Sequence, residues 1–385
     1  MKKYKYLFLI PVLCVLGSCK GTSEEELMGD WERRAVLPES QRAHAAYFVI
    51  NNLGYVVGGT NGFKAPLDDV FEFNPDPVGG AKDRKDRSMG AWTQLKDFTG
   101  PARQQAVGFS LKVGEKWYGY IGTGYGFDEE QDPKKQELFA RKDFWRFDPE
   151  DESWVEVAPL PAKARYGAVA FSLQTGSKWY VYVGCGYNDD PLLSNYLSDF
   201  WRYDPELDIW EQVSGYGGGK RAHATVFVLD NKAYISTGGN PGNITDFYVF
   251  DPNNPNAVWK RLRQMSNANP DEDYDDDYGK LQRSRGVGYV VMGSELRGYI
   301  VGGTTNGIYN WEYNHALQEN GGDLWEQRTN FYNNASGQSR EGMIAFSFPS
   351  LGRAYVGMGK TGTQYFDDLW EFFPLEEDYI YNDFQ

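Results

Sequence analysis

Cysteine and histidine are scarce in this 385-residue chain, with three of each. Cys14 and Cys19 both fall within the first nineteen residues, so Cys185 stands alone in the rest and no intrachain disulfide framework can form there. Basic residues are outnumbered, 39 Lys and Arg against 54 Asp and Glu, for a net charge of −15. The first 18 residues carry three lysines and no acid, so without them the chain stands near −18. A surface of that sign repels nucleic acid and anionic lipid. Long apolar runs are missing as well; the one apolar stretch near the start is too short to span a bilayer. What is abundant is aromatic residues, 16%, and 44 glycines, which favour many short strands and tight turns over helices. Length alone suggests two domains, but one closed all-β architecture absorbs this size.

The front end has three parts. Lys2, Lys3 and Lys5 precede the apolar run Tyr6 to Leu16, and Leu16-Gly17-Ser18-Cys19 follows. These are the flanks of a secretory signal. The small residues ahead of Cys19 resemble the lipobox of bacterial lipoproteins, which implies cleavage before Cys19, its acylation by palmitate-type chains, and a lipid anchor without a transmembrane helix. The stretch after it, Lys-Gly-Thr-Ser-Glu-Glu-Glu, is polar and flexible, as a tether should be. It also resembles, loosely, the surface-export signal of Bacteroidetes lipoproteins. The expected division is a signal peptide over 1–18, acylated cysteine and tether over 19–29, a single domain over 30–378 and a tail over 379–385. The expected location is the outer membrane, facing the periplasm or the cell surface.

Internal repetition decides the fold. A tyrosine stands four residues before a glycine six times: Tyr55/Gly59, Tyr120/Gly124, Tyr182/Gly186, Tyr234/Gly238, Tyr299/Gly303 and Tyr355/Gly359. Upstream of each is an arginine with an aromatic six residues on: Arg42/Phe48, Arg103/Phe109, Arg165/Phe171, Arg221/Phe227, Arg283/Tyr289 and Arg340/Phe346. Downstream comes an alternating aromatic strand led by Asp69, Asp143, Asp199, Asp246 and Asp368; the fifth copy begins at Tyr309 and lacks the acid. Period-two alternation marks a strand. A tryptophan strand closes five units at Trp92, Trp154, Trp210, Trp259 and Trp325; the sixth is displaced to the front, at Trp31. Each unit therefore has four strands, a to d. Four landmarks in fixed order resemble the kelch repeat over residues 31–374, although Gly-Gly degenerates in four units. The resemblance implies an all-β six-bladed propeller, with the N-terminal strand completing the last blade so that no sheet edge is left open.

In such a blade the start of strand a, the b–c loop and the d–a loop share one face, here the mouth. The six arginines fall there. They suit a carboxylate, sulfate or phosphate, or else each pairs with an acid of a neighbouring blade. Two residues on stand His44, Gln105, Gly167, His223, Arg285 and Gly342. His44 and His223 sit in opposite blades, too far apart for a shared metal. The long loops 125–142, 187–198 and 263–282 open on the mouth, where Tyr125, Phe127, Tyr187 and Tyr196 could stack on sugar faces. The tether arrives at the opposite face. His315 belongs to that other face; Cys185 reads as a small buried residue; Asp271 to Asp277 reads as a solvated acidic loop, since no glutamate closes a calcium loop.

Two enzyme families bear comparison. Galactose-oxidase-type propellers need a copper site that three scattered histidines and one cysteine cannot supply. Sialic-acid mutarotases, exported six-bladed kelch propellers, resemble this chain better. That resemblance implies an acid/base carboxylate, for which Glu341, Asp189 and Glu129 are candidates, and a cation for the sugar's carboxylate. No complete catalytic set is legible. The expectation is a monomeric binding module without cofactor or metal, recognising a glycan, an acidic sugar or an envelope protein at the mouth, with Arg42, Arg103, Arg165, Arg221, Arg283, Arg285, Arg340, His44, His223, Tyr125 and Tyr187 as contacts.

Overall fold

The computed structural model describes residues 27–377 apart from 39, 64, 128–136, 191–194, 256–258, 269–270, 272, 316–323 and 332–338. Cys19 and Glu129 lie outside them. No helix among the described residues is long and apolar enough to cross a membrane.

The chain is all-β. Six separate four-stranded antiparallel sheets follow one another, none closing on itself. The first is Ala46–Ile50, Leu53–Gly59, Leu67–Asn74 and Ala91–Gln94; the second Val107–Val113, Lys116–Gly122, Phe144–Asp148 and Ser153–Val157. The third is Val169–Thr175, Lys178–Gly184, Phe200–Asp204 and Ile209–Val213; the fourth Thr225–Leu229, Lys232–Ser236, Phe247–Phe250 and Trp259–Arg261. The fifth is Gly286–Met292, Leu296–Gly302, Asn310–Asn314 and Leu324–Arg328. The sixth takes Ile344–Phe348, Arg353–Gly357 and Leu369–Glu377 from the end of the chain and Met28–Arg33 from its beginning. Strand a of each sheet lies against strand a of the next, and the sixth lies against the first. The arrangement is consistent with a propeller.

The repeated landmarks turn out to be cross-strand partners. The aromatic six residues after each arginine faces the tyrosine of the Tyr–Gly motif, and in five sheets the two rings stack at 5.1–5.4 Å. The second aromatic of strand c pairs with the tryptophan of strand d in all six: Phe73–Trp92, Phe147–Trp154, Tyr203–Trp210, Phe250–Trp259, Tyr313–Trp325 and Phe372–Trp31. Their centroids lie 4.6–5.1 Å apart. Trp31 thus does in the sixth sheet what five other tryptophans do in theirs. Such ring pairs add about 0.5–1.5 kcal/mol each beyond the area they bury.

The N-terminal strand is also held by charge. Arg34, almost fully buried, reaches Glu371 at 2.6 Å and Asp83 at 3.1 Å. Lys85, from the c–d loop of the first sheet, contacts Glu32 at 2.5 Å and Glu376 at 2.9 Å. Asp30, Glu32 and Glu376 come together as a metal ligand set would; the Lys85 ammonium already stands among them.

Candidate functional site

Each repeat arginine is buried, at most 1% exposed. Five of them pair with the acid that leads strand c of their own sheet, not of a neighbour: Arg42–Asp69, Arg103–Asp143, Arg165–Asp199, Arg221–Asp246 and Arg340–Asp368. The neighbouring-blade expectation is corrected by the register, which sets the start of strand a beside the start of strand c two strands away. Each arginine also donates to the carbonyl of the residue before the motif glycine, for example Arg165 to Cys185 O at 3.1 Å and Arg221 to Thr237 O at 3.0 Å. Those residues carry positive φ whatever their side chain: Thr123 58°, Cys185 56°, Thr237 60° and Met358 54°. The arginine satisfies a carbonyl that this left-handed turn takes out of the ladder. In three sheets the same acid accepts an indole N–H, from Trp145, Trp201 and Trp370.

Arg283 is the exception that the missing acid foretells. It donates instead to the carbonyls of Lys280, Leu281, Gly302 and Tyr309. Burial with no carboxylate pulls its pKa down to about 9. All six forks are occupied within the protein.

Two residues beyond each arginine the geometry opens. His44, Gln105, Gly167, His223, Arg285 and Gly342 all adopt positive φ, between 55° and 64°. Each N–H donates to the carbonyl of the equivalent residue in the preceding sheet, at 2.7–3.2 Å, and Gly342 passes the chain of bonds back to His44. The six form a continuous hydrogen-bonded belt around the axis. Two of them must be glycine. A Cβ on Gly167 would stand 2.4 Å from the His223 ring, and one on Gly342 2.6 Å from the His44 ring.

The belt bounds one end of a cavity of about 850 Å³ between the a strands. Enclosure and the nearby Arg285 guanidinium hold both imidazoles neutral, at about 3; Lys360 adds to this at His44. Above the belt lies a second tier. The residue after each arginine bridges the residue after each motif glycine: Ala43/Thr60, Gln104/Tyr125, Tyr166/Tyr187, Ala222/Gly239, Ser284/Thr304 and Glu341/Lys360. Three sheets give this tier its chemistry. Tyr125, Tyr166, Tyr187 and Tyr196 form a row of ring contacts at 4.7, 5.4 and 4.9 Å, and Tyr166 approaches His223 at 6.3 Å. On another side Glu341 contacts Arg285 at 3.1 Å and Lys360 at 3.3 Å. Arg285 remains about one third exposed.

Tyr166 and Lys360 are the residues that sequence reading passed over. Their signal was positional: each occupies a tier position whose repeats are mostly small. Phe127 offers its carbonyl to Arg141, and Asp189 accepts the Ala140 N–H. The loop 263–282 packs as a brace. Its nine-residue 3-10 helix, Asp273–Leu281, buries Tyr278 and Leu281 against the fifth sheet, and the Tyr278 hydroxyl accepts the Trp325 N–H at 2.7 Å. Asp275 is buried there, accepting the Ala268 N–H. His315 pairs with Asp230 of an a–b turn. Cys185 is wholly buried, and burial pushes its thiol up to about 12, so it stays protonated.

No protein-family model and no curated protein matches the chain. Among solved structures, that of YjhT aligns with a TM-score of 0.61 at 17% identity, covering 87% of this chain and 96% of the other, so the fold is shared.

Proposed function

We propose that this chain is an exported, lipid-anchored six-bladed kelch propeller, closed by its N-terminal strand, that binds an acidic glycan at the belt end of its channel. The observation that carries the reading is Arg285. Among the seven candidate arginines it alone is partly exposed, and it stands between the channel, two neutral imidazoles and a tyrosine row. A carboxylate-bearing sugar would take its negative group to Arg285 and Lys360 and lay its ring on the tyrosines. The fork arginines support the turns from beneath.

A second reading is favoured by Glu341. Held between two cations beside the cavity, it would serve as the acid/base carboxylate that sugar mutarotation requires. Calorimetry with N-acetylneuraminic acid and its methyl ester on the soluble, tether-deleted protein tests the first reading. The free acid should bind, the ester at least tenfold more weakly, and Arg285→Gln should abolish the difference. Equal affinity for acid and ester would overturn it. Anomer exchange followed by NMR tests the second: catalysed exchange lost in Glu341→Gln establishes it, and no acceleration removes it.

A further inference from the structure

The repeat accounts for ten of the twelve tryptophans. Six stand in d strands and four, Trp145, Trp201, Trp311 and Trp370, in c strands. Trp117 and Trp179 have no such place. They occupy matching positions in the b strands of the second and third sheets, three residues before the motif tyrosine, where the other sheets carry Asn52, Asn231, Leu296 and Gly352. Both line the cavity at its far end, beside the Asn51-Asn52 turn and Pro349-Ser350, away from the belt. Their rings meet at 5.1 Å and 61°, forming a corner.

The indole N–H groups set this pair apart. Of the other ten, six donate to protein acceptors, and four lack an acceptor but are shut within the sheets where no ligand reaches them. Those of Trp117 and Trp179 have no acceptor among the described residues, and both side chains are half-buried. Charge sets the ligand class. Among the described residues Arg285, at the opposite end, is the one charged side chain lining the cavity at neutral pH. The walls between are uncharged, mixing aliphatic and aromatic side chains such as Val107 and Phe109 with the hydroxyls of Ser110 and Ser172. Two aromatic faces at an angle, two donors without partners and no charge fit a neutral pyranose, with its C–H face on one indole and a ring hydroxyl accepting from the other.

We propose that Trp117 and Trp179 form a second saccharide site, for a neutral sugar, at the end of the channel opposite the belt. This does not depend on the acidic-glycan reading. The protein, labelled with ¹⁵N at tryptophan and histidine, is titrated with maltotriose, cellotriose and mannotriose while the indole and imidazole signals are followed. Trp117→Phe and Trp179→Phe assign the two indole signals while keeping a ring in place. At least one trisaccharide should shift these two signals, leaving the other ten and the His44 and His223 imidazoles unmoved. Trp117→Ala or Trp179→Ala, checked for folding by thermal melt, should weaken that binding tenfold or more; where an alanine variant fails to fold, Trp179→Phe should still weaken it by losing the donor. The proposal is overturned if none of the three sugars moves the two signals, or if the shifts fall on the belt imidazoles instead.

Discussion

At the scale of the residue, the strand-c aspartates are the hubs. Burial pushes Asp143 up, but the Arg103 and Arg141 guanidiniums and the Trp145 N–H more than offset it, holding the carboxyl at about 2. Burial lowers Arg103 as well, and it remains a cation. A carboxyl whose folded pKa lies below its unfolded value stabilises the fold above the unfolded pKa. That contribution, about 2 kcal/mol, is lost as pH falls from about 4 to about 2. Asp143→Asn should therefore lower stability at neutral pH and flatten the loss across that window, as urea midpoints measured at successive pH values will show. Arg165→Ala should cost more, about 3–5 kcal/mol, because it strands Asp199 and the Cys185 carbonyl together. The leading acids were plain in the sequence, and so was their absence at Tyr309. Which arginine each served was not, because the pairing skips a strand and joins residues 25–40 apart. Still less legible was the left-handed backbone at His44, Gln105, His223 and Arg285, none a residue type that announces it.

At the scale of the element, the N-terminal strand is the informative piece. Its tryptophan could be read as displaced because five others fixed the pattern, and its register, Trp31 against Phe372, follows that pattern. The ion cluster that reinforces it could not be read. Lys85 and Arg87 come from a c–d loop with no repeat signature, and meet Glu32 and Glu376 only after the chain has gone round. Ring contacts and buried charge act on the same strand, so Trp31→Ala should destabilise by about 3–5 kcal/mol. Lys85→Ala, at a half-exposed pair network, should cost about 1 kcal/mol or less. Guanidinium titrations followed by far-UV circular dichroism will rank the two; an equal loss would mean that charge, not packing, holds the seam.

At the scale of the whole molecule, net charge and local charge oppose each other. A chain with a net charge of −15 repels an anionic sugar at long range, while on the acidic-glycan reading Arg285 and Lys360 attract it at contact. Raising salt from low to physiological strength should therefore speed association with an acidic glycan, the reverse of the usual steering effect, and surface plasmon resonance at stepped ionic strength will test it. On the lipoprotein reading, the roughly ten residues between Cys19 and the first strand would reach ~35 Å at most. On that reading, Cys19→Ala should leave a protein that no longer incorporates palmitate; labelled palmitate retained by that variant would end the reading.

The belt has one more consequence. Its six hydrogen bonds run head to tail in a single rotational sense and end where they began, so the circuit has no terminus: every backbone donor and acceptor at those positions is spoken for. A molecule entering the axis meets no free main-chain group there to grip. Whatever is recognised there must be recognised by the four side chains the belt carries, His44, Gln105, His223 and Arg285, mounted on a frame that asks for glycine only at the other two positions. Histidine, glutamine, glycine and arginine already share that frame in this one chain. The belt is thus a four-letter word between two fixed glycines, and exchanging those four letters should redirect what the channel accepts without disturbing the ring that displays them.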